Sequence, residues 1–244
     1  MIKAYAKSDK GRVREENQDY YYKSDSLDEV QLYILADGMG GYNGGEIASQ
    51  LAVETAKNYI QNNFKDIPKD RDSIIQLVGS SMEYANMVVY EKSKESPELE
   101  GMGTTLEICL IYNNKAYIGH IGDSRIYRVR KEFVRKLTQD HSYVQKLIKD
   151  GTITKEEAQH HPQKNMLMKA LGCNAFVEPD VMVKGFLKDD IIIMCSDGLS
   201  NMVDQQTMFE FVKKDIDQAT RDLVKLANDR GGYDNITVVV IKNI

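Results

Sequence analysis

Five aspartates of this sequence stand at or beside the ends of predicted strands, and glycine lies near most of them. They are Asp19, Asp37, Asp123, Asp197 and Asp234. A single aspartate in such a place is usually a turn residue or a helix cap, but five in similar places indicate a shared role. Carboxylates gathered at the ends of neighbouring strands would repel one another, and bound divalent cations would remove that repulsion. Oxygen ligands without His or Cys favour Mg²⁺ or Mn²⁺ over Zn²⁺.

The stretch around Asp37 is the most informative of these places. An apolar run over 32–36 ends in Asp37, a glycine-rich turn follows, and an amphipathic helix begins after it. The glycines first suggest a phosphate-binding loop, but they lack the spacing of a P-loop and of a dinucleotide fingerprint. We therefore interpret Asp37 and the carbonyl groups of the turn as ligands for a hard metal ion.

Composition excludes several classes of protein. The chain has 244 residues, 42% of them hydrophobic, and only four prolines, so we expect a single domain over residues 1–244. A net charge of -5 argues against nucleic-acid binding. No apolar run approaches the ~20 residues needed to span a bilayer, and no signal peptide opens the chain. Three cysteines without metal-ligand spacing indicate reduced thiols in a cytoplasmic protein.

Hydrophobic periodicity predicts the elements that position the aspartates. Helical spacing predicts helices over 45–64 and 72–93, which could cover one face of a sheet, and over 205–214 and 218–228. Strands are predicted over 2–8, 20–22, 30–36, 181–186, 191–195 and 236–241, and residues 24–29 form a loop.

The middle of the chain changes period. Strands over 105–112 and 115–121 flank Asn113-Asn114, a tight hairpin turn because Asn tolerates positive φ. A second pair, over 125–130 and 133–137, follows Gly122-Asp123-Ser124, and we expect the four strands to form one antiparallel meander. Residues 138–172, named the flap here, are polar and broken, with short helices near 143–149 and 155–159.

Six motifs in order carry a family resemblance. They are Arg14-x-x-Asn17-Gln18-Asp19, Asp37-Gly38-Met39-Gly40-Gly41, Gly103-Thr104-Thr105, Gly122-Asp123-Ser124-Arg125, Ser196-Asp197-Gly198-Leu199 and Asp234-Asn235-Ile236-Thr237. Together they resemble the bacterial branch of the protein phosphatase 2C family, the metal-dependent serine/threonine phosphatases. The resemblance covers essentially the whole chain. It implies an α+β fold: a four-layer αββα sandwich of two mainly antiparallel sheets flanked by pairs of antiparallel helices.

The resemblance also implies roles for single residues. Asp37 resembles the aspartate that bridges two metal ions, and the Gly38 carbonyl would bind one of them. Asp197 and Asp234 resemble the other direct ligands of the first ion, and Asp123 with Asp197 matches the third-metal position found in bacterial members. Asp19 resembles a carboxylate that acts through metal-bound water. Arg14 resembles the guanidinium that holds the substrate phosphate, a role suited to its planar donors.

The implied reaction is hydrolysis of phosphoserine and phosphothreonine by metal-activated water, with Mn²⁺ or Mg²⁺ and no covalent phosphoenzyme. Two residues depart from the family pattern in ways that affect this reaction. Met39 replaces a histidine proposed as general acid in many eukaryotic relatives, so a metal-bound water would protonate the leaving group. Gln18 replaces a residue that is often acidic, which predicts weaker binding of a second or third metal.

Histidines and cysteines give weaker signals. His120 lies in a predicted strand and is interpreted as a core residue, His141 as either a rim or a structural residue, and His161 as a substrate contact from the flap. None of the cysteines lies in an Arg-rich phosphate loop, so a cysteine-phosphatase mechanism is not expected.

Two other functions stay open at this point. One is a catalytically silent phosphoprotein-binding domain, although every expected aspartate is present; the other is cleavage of phosphodiesters or small phosphomonoesters. By analogy with the family, the expected partners are phosphorylated proteins, namely a cognate Ser/Thr kinase and that kinase's targets. We expect a monomer.

Overall fold

A computed structural model describes residues 1–25, 30–40 and 44–244. Its α-helices, in chain order, are α1 (Gly44–Asn63), α2 (Arg71–Ser93), α3 (Tyr143–Lys149), α4 (Lys155–Gln159), α5 (Asp197–Ser200), α6 (Gln205–Lys214) and α7 (Ile216–Asp229). Its strands are β1 (Ile2–Asp9), β2 (Asp19–Lys23), β3 (Gln31–Met39), β4 (Gly103–Thr104), β5 (Leu106–Tyr112), β6 (Lys115–Ile121), β7 (Arg125–Arg130), β8 (Phe133–Lys136), β9 (Asp180–Gly185), β10 (Ile191–Cys195) and β11 (Ile236–Asn243). The predicted loop 24–29 and glycine-rich turn after Gly40 fall partly outside these residues.

In the described part of the chain the strands form two antiparallel sheets. One has the order β1-β11-β10-β7-β8, and the other the order β2-β3-β5-β6-β9, with β4 paired to the end of β3. Helices α1 and α2 pack together on the second sheet, and α6 and α7 pack together on the first. The predicted four-layer αββα sandwich is confirmed.

Three apolar layers hold the sandwich together, and β3 shows how the sequence builds them. Side chains alternate between the two faces of a strand. Leu32 and Ile34 accordingly pack in the layer beneath α1 and α2, whereas Tyr33 and Leu35 pack in the layer between the sheets. A strand buried on both faces reads as a continuous apolar run, which is why the run before Asp37 has no polar interruption. The third layer lies beneath α6 and α7.

The predicted hairpins are present, but the predicted meander is wrong. Asn113 and Asn114 have φ values of 48° and 57° and join β5 to β6. Lys131, at φ 54°, lies in the turn between β7 and β8. The two hairpins belong to different sheets, so residues 122–124 carry the chain across the sandwich. Spacing along the chain predicts each hairpin but not the sheet that it joins.

Candidate metal centre

The predicted metal-ligating residues come together from both sheets. Asp37 lies on β3, Asp197 begins α5 directly after β10, Asp234 precedes β11, and Asp123 lies in the crossing segment 122–124. A cavity of about 210 Å³ is lined by Arg14, Gln18, Asp37, Gly38, Met39, Gly40, Thr105, Asp123, Asn165, Leu167, Asp197 and Asp234. Below, it is called the carboxylate cavity.

Asp37 lies within β3 and not at its end, so hydrogen bonds hold its main chain in place. Strand β3 continues through Gly38 and Met39, which pair with Thr104 and Gly103. The N–H of Asp37 donates to Thr105 Oγ1 at 2.9 Å, and its carbonyl accepts from the N–H of Thr105 at 2.9 Å. These contacts fix the main chain of Asp37 at the cavity wall.

Two glycines allow the backbone to approach closely at the cavity. A Cβ at Gly38 would lie 2.0 Å from the carbonyl oxygen of Gly45, where α1 begins. A Cβ at Gly198 would lie 2.0 Å from the carbonyl oxygen of Asn235. A side chain at Gly38 would therefore push the Asp37 segment away from the start of α1, and a side chain at Gly198 would push apart the segments that carry Asp197 and Asp234.

Asn235 ties the N-terminal segment to the cavity. Its Oδ1 accepts from the N–H of Gln18 at 2.9 Å, and its Nδ2 donates to the carbonyl oxygens of Lys10 and Glu16 at 2.9 and 2.7 Å. The segment so held carries Arg14, whose Nη2 lies 2.8 Å from Asp234 Oδ2. The predicted phosphate-binding guanidinium thus points at the carboxylate cluster.

Asp19 lies behind Asp37, nearly buried. It faces Asp37 across the β2–β3 pair, and its Oδ2 accepts from the Ser196 hydroxyl at 2.8 Å. Oδ1 is buried without a hydrogen-bond partner in the described residues. Ser196, Thr105 and Asn235 were not predicted as positioning residues, although each belongs to one of the quoted motifs.

Charge is poorly compensated in this cluster. Burial, followed by repulsion from Asp19 and Asp197, raises the pKa of Asp37 well above its usual range. Burial also raises the pKa of Asp19 and of Asp123 to about 7. The pKa of Asp197 rises to about 6 because of burial and the neighbouring Asp234. A cation bound here would stabilise the ionised forms of all these groups.

The donor set fits a hydrated divalent ion. Among the described residues no three His, Cys, Asp or Glu side chains form a ready cage for a metal. Mg²⁺ binds through one or two carboxylates and keeps several waters, and carboxylate, carbonyl and water ligands also suit Mn²⁺. The aspartates of the cavity, the Gly38 carbonyl and the unpartnered Asp19 Oδ1 match that requirement.

The flap supplies residues that the sequence did not indicate. Asn165 and Leu167 line the carboxylate cavity, and isolated β-bridges join Leu171 to Thr104 and Leu167 to Ser142. His161 does not line the cavity; its ring lies 6.0 Å from that of Tyr143. The flap lacks a sequence period, so no pattern distinguished Asn165 from its polar neighbours.

Comparison with known proteins identifies the family. The family model described as protein phosphatase 2C matches residues 10–230. This chain belongs to that family. Over 245 residues it is 37% identical to a putative protein phosphatase 2C-type of Streptococcus pyogenes, covering 99% of this chain and 98% of that protein.

Solved structures of family members resemble this chain in both sequence and fold. The serine/threonine phosphatase of S. agalactiae superposes with a TM-score of 0.91 at 36% identity over 100% of both chains. The catalytic domain of the phosphatase PstP, solved in complex with two manganese ions, gives 0.86 at 34% identity, covering 99% of this chain and 97% of that one. The predicted family, fold and protein serine/threonine phosphatase activity are confirmed, while the roles of single residues stay predictions.

Two of the cysteines are buried thiols. Burial raises the pKa of Cys109 and of Cys195 to about 12, so neither supplies a thiolate at neutral pH. Across the described ranges, no helix combines the length and apolar character needed to cross a membrane.

Proposed function

We propose that phosphoserine and phosphothreonine side chains of proteins are hydrolysed at the carboxylate cavity, with Mn²⁺ or Mg²⁺ as the resident ions. The observation that carries this proposal is the convergence of Asp37, Asp123, Asp197 and Asp234 from two sheets on one cavity that Arg14 also lines. Asp37, Asp197, Asp234 and the Gly38 carbonyl would hold two ions, Asp123 and Asp197 a third, and Asp19 would act through water.

Divalent ions at such a cluster lower the pKa of water and offset the charge of a phosphoryl group. Arg14 would bind the phosphate, because its side chain is half-exposed and its guanidinium already reaches the cavity. Asn235 keeps the Arg14 segment in place through its three hydrogen bonds. Met39 lines the cavity but cannot donate a proton, so water must protonate the leaving alkoxide.

No protein nucleophile is part of this proposal. The buried thiols of Cys109 and Cys195 lie within the apolar layers, and Asp37 is proposed as a metal ligand. Hydrolysis would therefore proceed in one displacement. Rapid acid quenching with a ³²P-labelled phosphothreonine peptide should leave no label on the protein, and a burst of protein-bound ³²P would overturn this point.

Partners follow from the activity. We further propose that a cognate Ser/Thr kinase and its targets are the substrates, and that the chain acts as a cytoplasmic monomer. Three free cysteines fit a reducing compartment. Rates on a phosphothreonine peptide, a nucleotide and an oligonucleotide, each with Mn²⁺, test the substrate class. Preference for the peptide supports the proposal, whereas preference for either nucleotide substrate would favour a phosphodiesterase or small-molecule phosphatase.

A further inference from the structure

A buried pair lies beside the carboxylate cavity and takes no part in the proposed reaction. Glu107 on β5 faces His120 on β6, and both side chains are fully buried. Glu107 Oε1 lies 2.6 Å from His120 Nδ1. His120 Nε2 lies 2.8 Å from the carbonyl oxygen of Gln139, to which it must donate because a carbonyl only accepts. The pair therefore fixes the His120 ring at the root of the flap.

His141 stacks on that fixed ring. The two ring centroids are 4.5 Å apart and the planes differ by 29°. His141 Nε2 lies 3.2 Å from Asp180 Oδ2 on β9, and its side chain is 11% exposed. His141 is thus held on one face by His120 and at one edge by Asp180.

The other edge of the His141 ring is hydrogen-bonded to the segment that carries Asp123. The N–H of Gly122 donates to His141 Nδ1 at 3.1 Å, and the N–H of His141 donates to the Gly122 carbonyl at 2.7 Å. Gly122 has φ +113°, and a Cβ there would lie 2.5 Å from Thr105 Cγ2. This crossing segment belongs to neither sheet. Ser124 Oγ lies 3.0 Å from Thr105 Oγ1 at one end of it, and His141 supplies two further hydrogen bonds through Gly122.

We propose that His141 is the positioning residue that sets the Gly122–Asp123 peptide and so presents the Asp123 carboxylate to a metal ion. This proposal rests on the proposed function for the role of Asp123. His141 acts through the main chain and does not itself bind metal or substrate. The adjacent Asp140 supports the same segment from its other end, since Arg125 donates to both oxygens of Asp140 at 2.8 to 3.2 Å.

The charges of the two histidines agree with this role. Burial disfavours a charged His120, but Glu107 outweighs burial and raises the pKa of His120 to about 9. Burial and the adjacent His120 charge lower the pKa of His141. A neutral His141 keeps Nδ1 as an acceptor for Gly122 and its proton on Nε2, facing Asp180.

Two amide substitutions separate the two edges of the ring. The main-chain hydrogen bond of residue 141 to the Gly122 carbonyl is kept in both variants. His141→Asn places an amide oxygen near the Nδ1 position and keeps the side-chain contact with Gly122, whereas His141→Gln reaches the Nε2 position and keeps only the side-chain contact with Asp180. Both variants are polar and similar in size, so a general loss of packing affects them alike. His160→Gln, at an exposed flap position, is the control.

The measurement is binding of Mn²⁺ alone, counted as free Mn²⁺ by EPR. We expect His141→Gln to weaken the same binding step as Asp123→Asn by about tenfold, with His141→Asn and His160→Gln close to the unsubstituted protein. Adding His141→Gln to Asp123→Asn should have no further effect, because one acts through the other. The proposal would be overturned if the losses of Mn²⁺ affinity in His141→Gln and Asp123→Asn added fully in the double variant. It would also be overturned if His141→Gln and His141→Asn bound Mn²⁺ equally well.

Two further readouts keep the result independent of activity. Imidazole ¹⁵N shifts should show His141 as the neutral Nε2–H tautomer, and the opposite tautomer would also overturn the proposal. Unfolding with chelator present should give closely similar stabilities for the Asn and Gln variants. Absence of Mn²⁺-dependent peptide hydrolysis by the unsubstituted protein would reject the proposed function alone, since the binding cycle uses no substrate.

Discussion

Asp19 lies directly opposite Asp37 in the β2–β3 pair, at the inner edge of the carboxylate cavity. Like charges at directly opposed positions destabilise a sheet, and here Asp19 is also buried and Asp37 half-buried. Ser196 donates to one oxygen of Asp19, which offsets only part of that cost. Folding stability and ion binding are therefore coupled at this pair.

Asp37→Asn should stabilise the metal-free protein. An amide at this position carries no charge that must be buried or protonated beside Asp19 and Asp197, so the free energy of unfolding with chelator should rise by up to about 1 kcal/mol. The same variant should lose most of the stabilisation that Mn²⁺ gives by binding the folded state. Urea unfolding with and without Mn²⁺ measures both effects. Exposed Asp66→Asn is the matched control and should change neither.

The Arg14 guanidinium should matter for substrate more than for folding. Its ion pair with Asp234 joins side chains that are 52% and 36% exposed, so Arg14→Ala should change the free energy of unfolding by less than about 1 kcal/mol. Loss of charged hydrogen bonds to phosphate should lower kcat/KM by about 10- to 100-fold. Arg14→Lys should retain only part of the kcat/KM that Arg14→Ala loses, because the lysine ammonium lacks the planar, bidentate donors of arginine. Arg12→Ala, in the same segment, serves as the control; equal kinetics for Arg12→Ala and Arg14→Ala would contradict the assignment.

Asn235→Ala should be strongly destabilising. The substitution leaves the N–H of Gln18 and the carbonyls of Lys10 and Glu16 without the partner seen here, at about 1 kcal/mol for each hydrogen bond. Urea unfolding should therefore show a loss of about 3 kcal/mol. Asn63→Ala removes one exposed hydrogen bond to Tyr59 and should cost far less. Comparable losses for the two variants would show that Asn235 does not anchor the segment.

His120 gives a pH-dependent contribution to stability. Despite burial, Glu107 raises the pKa of His120 from 6.5 to about 9. Burial raises the pKa of its partner Glu107 to about 7, so the ion pair is complete only above that pH. The folded-state pKa of His120 lies above the unfolded value, so its contribution is lost as pH rises from about 7 through about 9. The difference in free energy of unfolding between the unsubstituted protein and His120→Gln should shrink across this range. A difference that is independent of pH would contradict a protonated His120, as would an NMR titration midpoint near 6.5.

The sequence predicts local structure better than the relation between distant segments. Asn113-Asn114 favours a hairpin by its backbone preference, and the uninterrupted apolar run of β3 predicts a strand but not the face that each side chain takes. Whether β6 and β7 share a sheet depends on long-range packing, which is why the expected meander was wrong. The contact of Asn165 with the cavity depends on the path of the flap, and local periodicity does not encode that path.

Within the carboxylate cavity, the residue types predicted the chemistry of the site, whereas contacts between residues far apart in the sequence could not be predicted. Aspartate beside glycine indicated oxygen ligands and tight backbone packing, and Gly38 and Gly198 show that packing. The second role of Arg14, as a partner of Asp234, has no signal in the sequence because 220 residues separate them. The same holds for the clamp that His141 forms on Gly122, across 19 residues.

Hydrolysis of a phosphothreonine peptide after metal removal and resupply tests the central claim most directly. The chelated protein should be inactive, Mn²⁺ should restore activity, and Asp37→Asn and Asp197→Asn should each remain at least about 100-fold below the unsubstituted protein at the same Mn²⁺ concentration. Asp66→Asn should behave as the unsubstituted protein. Strong hydrolysis in chelator by both Asp37→Asn and Asp197→Asn would contradict a metal-dependent phosphatase built on these carboxylates.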